Sequence, residues 1–156
     1  MPDRFATLLT CIDGRIQRPL DNWARQHLAV DYLDVITEPG PDSAVTTTDD
    51  NGLANLLRKV EVSRTAHRST ALVVVGHSDC AANPVADDEH HEQLHRAAVR
   101  LARHLPATRI LAVHAGQCGD DCWQPHLISE ITPRPPFSHF DRRGQRHDGD
   151  AVHRAV

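Results

Sequence analysis

Residues 70–77 read TALVVVGH. The run Ala71-Leu72-Val73-Val74-Val75 leaves no polar face for solvent and is too short for a stand-alone helix. A strand made from it must be covered on both sides, as the middle of a parallel sheet is. Working outward, RFATLLTC (residues 4–11) is a second short apolar run, closed by a Gly-containing turn at Gly14. YLDVITE (32–38) reads as another strand, stopped by PGPD, and TRILAVHAG (108–116) reads as a fourth. Helical patterns separate them. PLDNWARQHLAV (19–30) places Pro19 in a first turn. TTTDDNGLANLLRKVEVSRTAH (46–67) offers cap residues and then Leu53, Leu56, Leu57 and Val60 on one face. DDEHHEQLHRAAVRLARHLP (87–106) begins with acids, carries a Leu94–Ala98–Leu101–Leu105 stripe and ends at Pro106.

Strands alternating with helices predict an α/β fold, a mostly parallel central sheet of order near 2-1-3-4 with helices on both faces. Residues 1–132 read as one domain, and 133–156, PRPPFSHFDRRGQRHDGDAVHRAV, as a polar, Pro-rich C-terminal tail. The 156 residues suffice for one sizeable core, and 40% hydrophobic with 24% charged residues is ordinary for a soluble protein. A formal charge of -4 lends no support to nucleic-acid binding. Of 17 basic residues only Lys59 is a lysine, which reads as coding bias. No 18-residue apolar run suggests a membrane span, and MPDRFATLLTC is too short and too charged for a signal peptide. The expected location is therefore the cytoplasm, where four cysteines and twelve histidines suggest metal ligands or reactive groups.

In such sheets ligands gather outside the carboxyl ends of the strands, where strand order reverses. Order 2-1-3-4 puts that reversal between strands one and three. The first ends at Cys11-Ile-Asp13-Gly14-Arg15 and the third at GHSDC, with His77 and Cys80. Two thiolates and an imidazole form a donor set suited to zinc, and three protein ligands leave a fourth position open. Asp13 and Arg15 read as the supporting pair: a bidentate guanidinium holds the carboxylate ionised and keeps it off the metal. Alternation along 11, 13 and 15 would put all three side chains on one face of an extended strand.

Cys-x-Asp-x-Arg, followed by His-x-x-Cys after VVVG, resembles the β-class carbonic anhydrases over roughly residues 5–115. The resemblance implies one Zn²⁺ per chain on Cys11, His77 and Cys80, with Asp13 and Arg15 as the catalytic dyad. It also implies a lyase that reversibly hydrates carbon dioxide to bicarbonate by metal-bound hydroxide. The implied partners are that small-molecule substrate and a second copy, in a homodimer or dimer-based oligomer. Ala81-Ala82 stands where many members have glycines, and TEPGPD replaces their usual Arg-Asn-Ala-Gly type segment after the second strand. Almost nothing precedes strand one, where members commonly have a helical arm. Because TEPGPD should face the pocket, two alternatives stand beside carbon dioxide. One is hydrolysis of carbonyl sulfide or carbon disulfide at the same site. The other is a non-catalytic zinc-stabilised interaction or sensor protein, with Asp13 as a fourth ligand.

Other motifs read more plainly. HEQLH (His91–His95) matches the helical H-E-x-x-H zinc pattern, but no useful third ligand follows, so it reads as a solvated helix face. His114, Cys118, Cys122 and His126 recur every fourth residue, and Gly116 and Gly119 argue for a loop there. That loop could hold a second metal or a disulfide, and the preferred reading is a pair of free thiols. Trp23 and Trp123 read as core or interface anchors. Asp87-Asp88-Glu89 reads as the charge complement of a helix N-terminus.

Overall fold

A computed structural model describes residues 1–133, so the tail expected at 133–156 lies outside the described residues except for Pro133. The chain runs β1 (Phe5–Thr10), α1 (Gln17–Leu28), β2 (Tyr32–Thr37), α2 (Pro41–Thr47), α3 (Asp50–His67), β3 (Ala71–His77), α4 (Asp87–His104), β4 (Arg109–Gly119) and β5 (Cys122–Ile131). The sheet order is β2-β1-β3-β4-β5, parallel except for the antiparallel β4–β5 pair. The expected α/β class and the 2-1-3-4 order are both present, with a fifth strand added. No helix among the described residues is long and apolar enough to cross a membrane.

Side-chain alternation along the strands divides the interior into two half-cores, one per sheet face. Ala6, Leu8, Val73, Val75, Leu111 and Val113 pack with Ile16 and Leu20 at the start of and within α1. Leu9, Leu72, Val74, Ile110 and Ala112 pack under α2, α3 and α4, against Val45, Leu53, Val60, Leu94 and Leu101. Every residue of β3 is buried, as its uninterrupted run requires. The Asp49 carboxylate caps α3 by accepting from the Gly52 N–H at 2.8 Å. The acids Asp87, Asp88 and Glu89 occupy the first turn of α4, as expected.

Three sequence expectations are corrected. PGPD does more than stop β2, because Pro41 opens α2. Gly40 takes the left-handed conformation (φ 56°) that turns the chain, and proline is pre-set for a first helical position. The stretch read as a loop at 114–126 is a hairpin: β4 continues to Gly119 and β5 pairs back along it. Gly116 and Gly119 sit within β4, and Pro125 is tolerated because β5 is an edge strand. Finally, Cys118 and Cys122 are disulfide-bonded across that hairpin's tip rather than free thiols, since the hairpin brings their Cα atoms to 5.0 Å.

Candidate metal centre

β1 and β3 are adjacent and parallel, so the segments leaving their carboxyl ends emerge side by side. Cys11 follows β1 directly, His77 closes β3, and Cys80 ends the turn after it. Asp79 holds that turn in a left-handed conformation (φ 54°), which aspartate tolerates better than most residues. All three side chains are buried, with 4%, 0% and 2% of their residue surfaces exposed. Their ligand atoms lie within 4.8 Å of one another, and among the described residues no other group of three or more is so placed.

The donors fit a metal ion on three counts. The Cys11 and Cys80 sulfurs are 3.9 Å apart. A tetrahedral ion with metal–sulfur bonds of zinc length would set them about 3.8 Å apart. Nδ1 of His77 lies 2.8 Å from the Ser78 carbonyl oxygen, which can only accept, so Nδ1 carries the proton. Nε2 therefore keeps its lone pair and is buried with no hydrogen-bond partner. Burial also pushes the His77 pKa down, favouring the neutral ring that ligates. For Cys80 burial pushes the pKa up, helped by the neighbouring Cys11 sulfur and offset in part by backbone N–H groups. So dry a place would hold the Cys80 sulfur as a thiolate only with a cation beside it.

Beside the donors sits the Asp13–Arg15 pair. The expected strand alternation is wrong, because β1 ends at Thr10 and residues 11–15 form a bend and turn. The turn pairs the two side chains locally instead. The Arg15 backbone N–H donates to Asp13 Oδ1 at 2.9 Å, Nε donates to both carboxylate oxygens at 3.1 Å, and an Nη reaches Oδ2 at 2.7 Å. The side-chain bonds from Arg15 hold the Asp13 carboxyl below the usual carboxylate range. Gln17 ties this turn down by donating to the carbonyls of Cys11 and Asp13. Arg15 also spans to the other ligand turn, donating to the Asp79 carboxylate at 3.1 Å and its carbonyl at 3.3 Å.

Sequence reasoning missed two groups nearby. Asp42, in the first turn of α2, is fully buried and accepts from Nδ1 of His90 on α4 at 2.5 Å. Asn83 lies 3.4 Å from that nitrogen and donates to Gln93 at 2.7 Å. Asp42 thus enters from the TEPGPD segment, and its carboxylate lies so close to Gly76 that a Cβ there would be 2.6 Å from Oδ2. The other group is Trp123, whose indole lies under Arg15 (4.9 Å from Cζ to the ring centroid) and edge-on to His77 at 5.9 Å. An Asp in a segment that reads as a turn, and a Trp within a stretch that reads as a loop, carry no pattern that points at the donors.

The remaining candidates stay apart from the donors. His95 and Glu92 of HEQLH are exposed, while His91 packs edge-on to buried His114 at 4.7 Å. His114 pairs with His126 in the β4–β5 ladder, and neither joins the donor group. Trp23 stacks on His27 at the rim of the α1 half-core.

A search of curated proteins finds no match. Among solved structures, one β-carbonic anhydrase described as tetrameric, from the ascomycete Sordaria macrospora, is 13% identical with a TM-score of 0.41, covering 80% of this chain and 81% of its own. The β-carbonic anhydrase CafA of Aspergillus fumigatus is 12% identical with a TM-score of 0.43, covering 83% and 78%. A family model described as "Putative carbonic anhydrase" matches residues 1–129. On that match, spanning both ligand turns and the sheet between them, this chain belongs to the carbonic anhydrase family so described.

Proposed function

We propose that this protein is a zinc-dependent lyase that reversibly hydrates carbon dioxide to bicarbonate. The observation that carries the reading is the buried Cys11–His77–Cys80 cluster with an adjacent carboxylate turned away from it onto Arg15. One zinc per chain would be held by those three side chains. When bound there it supplies a Lewis acid that lowers the pKa of water towards about 7.

The chain's own residues supply the rest. His77, fixed by its bond to the Ser78 carbonyl, presents Nε2 without a rotamer search. Arg15 grips both oxygens of Asp13, so the carboxylate stays ionised and is held back from ligation. From there an Asp13 oxygen can accept a hydrogen bond from a hydroxyl beside the donors and orient it towards a linear substrate. The non-catalytic alternative needs a fourth protein ligand, for which Asp13 is the candidate, and the Arg15 grip on Asp13 supports the open arrangement instead. A homodimer or dimer-based oligomer completes the proposal, following the family resemblance.

The direct test is stopped-flow carbon dioxide hydration with metal analysis, on the wild type and a Cys80→Ser variant. We expect one zinc per chain and a hydration rate that the variant loses together with most of its metal. Equal hydration by both proteins would end the catalytic reading.

A further inference from the structure

Arg15 leaves 47% of its side chain exposed, yet it must keep one rotamer to hold Asp13. Its hydrogen bonds account for one end of that restraint. Arg15 Cζ also lies over the ring of Trp123, which is 9% exposed and belongs to the same apolar cluster as Cys11 and Cys80. The indole therefore meets both halves of the centre, Arg15 through its face and His77 through an edge-to-face contact at 72°. Its own position is fixed from behind. Trp123 directly follows Cys122, whose bond to Cys118 closes the hairpin tip, and it stands opposite Gln117 in the ladder. The Gln117 N–H donates to Ser78 Oγ at 3.1 Å, and the Ser78 N–H donates to the Ala115 carbonyl at 3.1 Å, stitching β4 to the ligand turn.

We propose that Trp123 is a positioning residue, held by the Cys118–Cys122 clasp, whose indole face locks Arg15 in the rotamer that restrains Asp13. The inference rests on the metal-centre reading above and names the part of the chain that keeps the carboxylate restrained. Without the indole, Arg15 is free to swing towards solvent, and Asp13 is free to reach the metal.

The test compares zinc-loaded and cobalt-loaded wild type with Trp123→Leu, Trp123→Phe and a Cys118→Ser/Cys122→Ser double variant. The Arg15 Nε–H, which donates to both Asp13 oxygens, should be protected from exchange with water in the wild type. We expect that protection, read on its resonance, to be lost in Trp123→Leu, reduced in the double variant and kept in Trp123→Phe. The cobalt visible spectrum of Trp123→Leu should change as a carboxylate joins the coordination, while metal content stays at the wild-type level. Hydration kcat should fall about tenfold in Trp123→Leu with KM little altered, and Phe should restore most of it. An unchanged Arg15 resonance and cobalt spectrum in Trp123→Leu, or no rescue by Phe, overturns the proposal. If Trp123→Leu fails to fold, Trp123→Met fills the space without a π face and is judged by the same criteria. Should the wild type hydrate no carbon dioxide, the catalytic reading fails alone, because the resonance and the spectrum still decide this one.

Discussion

At the scale of single residues, the Asp42–His90 pair is the most consequential feature outside the metal centre. Both side chains are essentially inaccessible, at 1% and 0%, and one Asp42 oxygen already lacks a partner. Leucine at position 90 would strip the buried carboxylate of its donor. His90→Leu should therefore cost about 3–5 kcal/mol, whereas removing both partners together should cost less than the two single changes combined. Urea denaturation of the two single variants and the double variant measures this, and a His90→Leu loss below about 1 kcal/mol would mean the pair does not hold α2 to α4. None of this could be read from sequence. Asp42 stands in a segment that looks like a turn, and His90 is one of several histidines on a helix with the right charge to be solvated.

At the scale of elements, β3 shows what a continuous apolar run determines and what it hides. Its burial on both faces follows from Leu72, Val73, Val74 and Val75 alone. The role of Gly76 does not. A Cβ there would sit 2.6 Å from an Asp42 carboxylate oxygen and 3.3 Å from a Leu94 methyl, so the glycine marks where α2 presses onto the strand. Gly76→Ala should destabilise the protein by about 1–3 kcal/mol through that overlap, read as a lowered thermal midpoint. An unchanged midpoint would show that α2 yields freely. The four parallel strands and three long helices were legible because each carries its own periodicity. β5 and α2 were not. β5 is a half-exposed edge strand broken by Pro125, and α2 is too short for its apolar positions to repeat. The ligand set was legible because its chemistry is unusual at strand ends. The bend that pairs Asp13 with Arg15 was mistaken for strand because an i, i+2 spacing serves a tight turn equally well.

At the scale of the whole molecule, stability should depend on pH through His114. Burial lowers its pKa to about 4, and the neighbouring Asp87 only partly offsets this. The unfolded chain, with an ordinary histidine pKa near 6.5, takes up a proton that the folded chain refuses. Stability is therefore full above about pH 6.5, is lost as pH falls towards 4, and levels off below that. The loss is on the order of 3 kcal/mol. Denaturation midpoints between pH 7 and 4 test it, and His114→Gln should flatten that slope. A slope unchanged in His114→Gln would place the titration elsewhere.

Cys11 and Cys80 are 69 positions apart in the chain yet 3.9 Å apart in space. A growing polypeptide leaving the ribosome cannot offer both sulfurs to an ion until β3 has docked beside β1. A cation held by both would join two turns that the backbone ladders alone leave unjoined. Sequestering agents added after synthesis should loosen those turns first and leave the sheet assembled.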